Sequence, residues 1–248
     1  MTDFTLKKYL ELCNAIKVKN IFNVRSYFQE NPRDDFIILR HDVDRFPLLA
    51  LDVAKLEKSL SISSTYYFRY SKKLLKSRLI NQFVDLGHEV GYHYEVLSKS
   101  NGDFSRAIEM FASELSDFRK VADVKTISMH GKPLSKFNNS DLWQRYDFKK
   151  FDVIGDAGIS IKDIIYFNDT GRSWRNNNNL RDFLRDSKRV EMDISTTDEL
   201  INYLKNSGES CYISTHPERW PGTTAGYVRS HVIDTTFNCG KWVIRRFR

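Results

Sequence analysis

Residues 36–47 read FIILRHDVDRFP. Four apolar residues with strand character run directly into His41, Asp42 and Asp44, and Pro47 follows where a helix can begin. A strand that delivers charge at its end and passes into a helix is the opening of a parallel α/β unit, in which functional groups gather at the carboxyl ends of the strands. The rest of the chain keeps that alternation. FIIL precedes FPLLALDVAKLEKSL, which is apolar at helical spacing, and STYYF (64–68) precedes KKLLKSRLINQFVDLG (72–87), closed by Gly87. HEVGYHY (88–94) precedes the helix 103–122, and KTISM (125–129) precedes a loop and the short helix SDLWQRY (140–146). FDVIG (151–155), IIYF (164–167) and, after the helix 196–208, CYIST (211–215) bring the strands to about seven. RVEMDI (189–194) reads as a further strand or an irregular segment, and RNNNNLR (175–181) as an exposed loop. This order fits a closed barrel or an open doubly wound sheet.

Composition is consistent with one large core. The 248 residues are 41% hydrophobic and 13% aromatic, and the 11 Gly and 5 Pro form no linker. The expected organisation is a single domain: a helical amino-terminal extension over 1–34, a core over 35–221 and a carboxy-terminal extension over 222–248. Cys13, Cys211 and Cys239 are too few and too scattered for a disulfide framework, and no Cys-x-x-Cys pair suggests a structural zinc site. Neither a signal peptide nor an apolar run long enough to span a membrane is apparent, so the expected location is the cytoplasm, without stable membrane insertion. The net charge of +7 is spread along the chain, apart from the final KWVIRRFR. Without a basic stripe interleaved with aromatics, no nucleic-acid partner is expected. Dinucleotide, Walker and nucleophile-elbow motifs are all missing, and Cys211 sits inside a strand as a small core residue would.

The polar residues that follow the strands carry the functional reading. Asp42 and Asp44 follow the first, His93 ends the third, His130 the fourth, Asp169 follows the sixth and His216 ends the last. Parallel strands would bring these to one rim although they lie far apart in sequence. Carboxylates and imidazoles without thiolates suit a catalytic divalent cation, zinc first, and such a site can hydrolyse an amide or ester.

In order along the chain, LRHDVDRFP, GHEVGYHYE, SMHGKP, YFNDTGRSW and STHPERW resemble the motifs of the polysaccharide deacetylase-like (NodB-homology) superfamily. The likeness is greatest to the WbmS-like branch associated with O-antigen and other surface-polysaccharide gene clusters, and it runs from about Phe36 to Trp220. The resemblance implies a distorted (β/α)7 barrel and metal-dependent removal of an acetyl group from an N-acetylated sugar, nucleotide- or lipid-linked sugars among the candidates. It implies Asp42 as general base, Asp44 and His93 as metal ligands, and His216 as the acid beside the leaving group. Asp169 and Trp174 match the motif that supports the catalytic groups.

Two positions depart from the pattern. Leu97 stands where a second histidine ligand is usual, four residues after His93, so His130 or Glu95 must fill the gap or the metal is held weakly or not at all. The arginine that usually orients the base is missing from SMHGKP, and Lys132 or Arg40 could compensate. His41 reads as a ligand, a substrate contact, a base-orienting group or a structural residue. His88, at the start of its strand, reads as structural. Arg172, Trp174 and Trp220 could line a sugar site, the alternative for the tryptophans being simple packing. Beside the hydrolase, two other functions fit: a deacetylase-fold protein that binds glycan without turnover, marked by Leu97, and an amidohydrolase acting on a small cyclic amide.

Overall fold

The computed structural model describes residues 2–132, 135–175, 184, 186–188 and 192–247, with side chains in the last helix through residue 236. The loop expected over 175–181, apart from Arg175, and the start of the segment expected over 189–194 lie outside the described residues. In chain order the elements are α1 (Leu6–Ile16), β1 (Asn20–Phe22), α2 (Val24–Glu30), β2 (Phe36–Val43), α3 (Pro47–Ser59), β3 (Thr65–Arg69), α4 (Lys72–Lys76) and α5 (Leu79–Asp85). They continue with β4 (Glu89–Tyr94), α6 (Val96–Lys99), α7 (Phe104–Arg119), β5 (Thr126–Met129), β6 (Gly155–Asp156), β7 (Ile165–Asn168), α8 (Thr197–Asn206), β8 (Cys211–Thr215) and α9 (Thr224–Phe247).

Every strand pair is parallel, in the order β6-β5-β4-β3-β2-β8-β7. The sheet curls into the expected distorted (β/α)7 barrel, with no ladder joining β6 to β7 among the described residues. The amino-terminal segment is not purely helical. β3 pairs only with Arg40–Val43, which leaves the first half of β2 with an open edge, and β1 fills it by pairing with Phe36–Ile38.

Residues of β2 alternate between two environments, and this parity positions the site. Phe36 and Ile38 join Tyr67, Tyr166 and Tyr212 in the apolar plug inside the barrel. Ile37, Leu39 and Val43 face outward, into the clusters formed with the surrounding helices. The interior is polar on both sides of the plug: Glu89, at the start of β4, is hydrogen-bonded by Thr65 and Thr126, and on the mouth side Arg40 lies among Ser128, Ser214 and Tyr166. Gly91 is needed on the inner face of β4, because a Cβ there would overlap the Tyr67 ring.

Three local expectations differ from what forms. The helix expected over 72–87 divides into α4 and α5: Ser77 Oγ bonds back to the Leu74 carbonyl at 2.6 Å, and Arg78 is left-handed at φ 55°. SDLWQRY is a 3-10 turn (Asn139–Gln144), not an α-helix. Of FDVIG only Gly155 enters a strand, since Phe148–Phe151 forms another 3-10 turn.

Candidate active site

Residue parity decides which members of RHDVD reach the barrel mouth. Because β2 continues through Val43, Arg40 and Asp42 share the inner face while His41 turns outward. Arg40 Nε donates to Ser214 Oγ at 3.0 Å, Nη1 to Ser128 Oγ at 2.7 Å and Nη2 to Tyr166 OH at 3.2 Å. The same Nη2 lies 3.3 Å from Asp42 Oδ2. Asp42 Oδ1 is buried and has no hydrogen-bond partner among the described residues. Lys132 makes no such contact with Asp42 among the described residues, so the cation next to this carboxylate is Arg40.

Asp44, just past the strand, meets three imidazoles. Its Oδ1 stands 3.4 Å from His93 Nε2 and 3.4 Å from His130 Nε2, and its Oδ2 stands 4.0 Å from His216 Nε2. One donor atom from each of Asp44, His93 and His130 lies within 4.8 Å of the others, and Asp44 Oδ1 accepts no hydrogen bond among the described residues. A buried carboxylate oxygen without a donor is costly unless a cation meets it. Donors bound to tetrahedral zinc at about 2.0–2.1 Å stand about 3.3 Å apart, so this set fits a divalent cation. Burial alone would raise the Asp44 pKa, but the His130 and His93 charges, with His216, hold it well below the usual carboxylate range.

Each imidazole is oriented from behind. His93 Nδ1 faces the Ser128 carbonyl at 3.1 Å, which directs Nε2 to the site. His130 Nδ1 lies 3.2 Å from Glu95 Oε2, an ion-pair contact without hydrogen-bond geometry, and Arg69 grips Glu95 Oε1 with Nε at 3.2 Å and Nη2 at 2.8 Å. Glu95 is therefore behind His130 and not in the donor set, which corrects its reading as an alternative ligand. His216 Nδ1 pairs with Asp169 Oδ1 at 2.7 Å. Asp169 also accepts from the His216 backbone N–H at 3.0 Å, Arg219 Nη1 at 2.6 Å and Trp220 Nε1 at 2.9 Å. Burial and Arg219 would lower the His216 pKa, but the Asp169 carboxylate prevails and pushes it up to about 9.

Other expected residues are placed elsewhere. His41, fully buried on the outer face, pairs with Glu57 Oε1 at 2.9 Å and Thr215 Oγ1 at 2.7 Å, so the ligand and substrate-contact readings are corrected to a structural one. Glu57 also takes Tyr66 OH and Ser64 Oγ, and His88 lies 3.7 Å away in the same network. Trp174 bonds neither Asp169 nor His216 among the described residues: its Nε1 donates to Thr197 at 3.0 Å, and its ring packs with Phe4 and with Trp220. Trp220 is packed too, but its indole N–H anchors Asp169. Arg172 is held by Asp234 at 2.9 Å and by Ser230, both on α9. Leu97 is buried in the outer core. Cys211 is buried, which pushes its thiol up to about 12 and leaves it inert.

Arg219 and Glu57 were not singled out in the sequence. Arg219 lies inside STHPERW, three residues past His216. Glu57 falls on the buried stripe of α3 with Ala50, Val53 and Ala54, a helical spacing that could have flagged it.

No family model and no curated protein matches the chain. Solved structures do. A family 4 carbohydrate esterase from Bacillus anthracis aligns with a TM-score of 0.42 at 13% identity, over 90% of this chain and 83% of that one. A family 4 pseudoenzyme from the same organism aligns at 0.42 and 13%, over 83% of this chain and 60% of that one. A mutant pseudoenzyme with restored activity aligns at 0.43 and 13%. The chain spans 62% of the length of the mutant pseudoenzymes it matches.

Proposed function

We propose that the protein is a metal-dependent hydrolase that removes the acetyl group from an N-acetylated sugar in surface-polysaccharide (O-antigen) synthesis, working in the cytoplasm. The observation that carries this reading is the Asp44 carboxylate oxygen held 3.4 Å from both His93 and His130, with the Asp42–Arg40 pair and the His216–Asp169 pair as its neighbours.

Asp44, His93 and His130 would hold the cation, zinc being the natural choice for two imidazoles and a carboxylate. When bound, such an ion polarises the acetyl carbonyl and lowers the pKa of water. Asp42 accepts the proton of the attacking water through its open Oδ1, while Arg40 fixes the other oxygen. As the new C–O bond forms and the C–N bond breaks, His216 donates its Nε2 proton to the departing amine. Asp169 holds Nδ1–H so that the proton for transfer sits on Nε2. The products are acetate and the free amino sugar.

The non-catalytic reading rested on Leu97. Its place in the outer core, with His130 beside Asp44, supports a complete donor set instead. Metal analysis tests the reading: the purified protein should carry one divalent ion per chain, lost in Asp44→Ala and His93→Ala. Full occupancy in both variants refutes it.

A further inference from the structure

A cavity of about 430 Å³ opens beside the Asp44 centre, between the segments that follow β2 and β3. That volume suits a small-molecule ligand. Its walls are of two kinds. Val43, Phe68 and Leu79 supply apolar surface, while Arg69 and Lys73 from the segment after β3 and Arg45 from the segment after β2 bring cations, Arg45 being itself paired with Glu218 at 3.3 Å and Asp234 at 3.1 Å. The acids in the lining are Asp44, which belongs to the donor set with His93 and His130, and Glu95, which is paired with Arg69 at 2.8 Å. Arg69 commits Nε and Nη2 to Glu95, and Lys73 has no acidic partner among the described residues. Cations set over a low-dielectric wall focus their field into a cleft and raise the local concentration of anions.

We propose that this cavity is an oxyanion subsite, taking a phosphate or carboxylate carried by the acylated sugar, with Lys73 as its exposed cation and Arg69 as its anchored one. The substrate class is thus an anionic amino-sugar derivative, not a neutral glycan. The identity of the sugar rests on the hydrolase reading, but occupancy of the subsite can be measured without turnover.

The test is calorimetric titration of the metal-loaded protein with N-acetylglucosamine, its 1-phosphate and the corresponding uronic acid. One or both charged sugars should bind at least about tenfold tighter than the neutral one, since a hydrogen-bonded charge contributes more than a neutral contact. Whichever charged sugar binds tighter identifies the oxyanion. Lys73→Ala should weaken that sugar about fivefold, the scale of an exposed ion pair, with metal content unchanged, and Lys73→Glu should weaken it further. Equal affinity for charged and neutral sugars overturns the proposal, as does a Lys73→Ala protein that binds the charged sugar like the parent. A charge preference in a protein that releases no acetate from any of the three sugars supports the subsite and counts only against the hydrolase reading.

Discussion

Replacing Arg40 with methionine tests the centre at its deepest point. Arg40 and Asp42 are 2% and 1% exposed, so water screens their 3.3 Å pairing little. Methionine keeps most of the side-chain volume, and the hydroxyls of Ser128, Ser214 and Tyr166 can rotate to other partners, so the main loss is the compensation of the Asp42 charge. Breaking a buried pair from one side costs about 3–5 kcal/mol. At about 2–4 °C per kcal/mol for a chain of this length, Arg40→Met should lower the melting temperature by about 6–20 °C. Asp42→Asn removes the stranded charge, so the double variant should recover part of the loss, with a coupling of about 2–3 kcal/mol in the thermal double-mutant cycle. Metal content should hold in all three proteins, because neither residue is a donor, while acetate release falls in each. An Arg40→Met protein that melts within about 2 °C of the parent, or single-variant losses that simply add, would refute the view that this pair is the polar core of the barrel.

Further outcomes follow from other parts of the structure. His130→Ala should lose the metal, whereas Leu97→Ala should keep it and lose about 2–5 kcal/mol of stability by leaving a cavity in the outer core, read by metal analysis and denaturant melts. Because His216 titrates at about 9 in the folded chain against an ordinary 6.5, its contribution to stability is full below pH 6.5 and lost as the pH rises through about 9. NMR titration of the metal-free protein should show that step, and Asp169→Asn should abolish it. Glu57 is depressed from 4.5 to about 2, burial being outweighed by His41 and His88, so its contribution is present above pH 4.5 and lost as the pH falls through about 2. Glu57→Gln should flatten that acid limb in denaturation curves.

The strand and helix alternation was legible because a period near two and a period near 3.6 differ plainly over these segments. The convergence of distant residues followed from parallel topology alone: Asp42, Asp44, His93, His130 and His216 all lie at or just past the carboxyl ends of strands that point one way. Other features needed coordinates. Arg40–Val43 looks like a loop by composition, and only its pairing with β3 and β8 shows that the strand continues through the charges. The break at Ser77–Arg78 depends on one serine that bonds its own backbone, a choice that apolar periodicity cannot register. Trp174 and Arg172 sit among site residues in the sequence, yet a turn that brings Asp169 to His216 carries those two back toward α8 and α9.

The same parity that sorts β2 explains how the donor set does without a histidine at position 97. The residues after β4 enter the short helix α6, whose Leu97 packs outward, so the chain there does not turn back over the mouth. β5 lies beside β4 with His93 opposite Ser128, and the His130 amide donates to the Tyr94 carbonyl at 2.8 Å. Ser128 faces inward, as its bond to Arg40 shows. A residue two positions later on the same line must face inward as well, one step nearer the rim. That position is His130. The second imidazole thus reaches the centre from the neighbouring strand instead of the following turn, and its place is fixed by the register between β4 and β5. A shift of one residue in that register would turn Ser128 and His130 outward together. Arg40 would then lose a hydroxyl and Asp44 an imidazole at once, so the buried pair and the donor set stand on the same ladder.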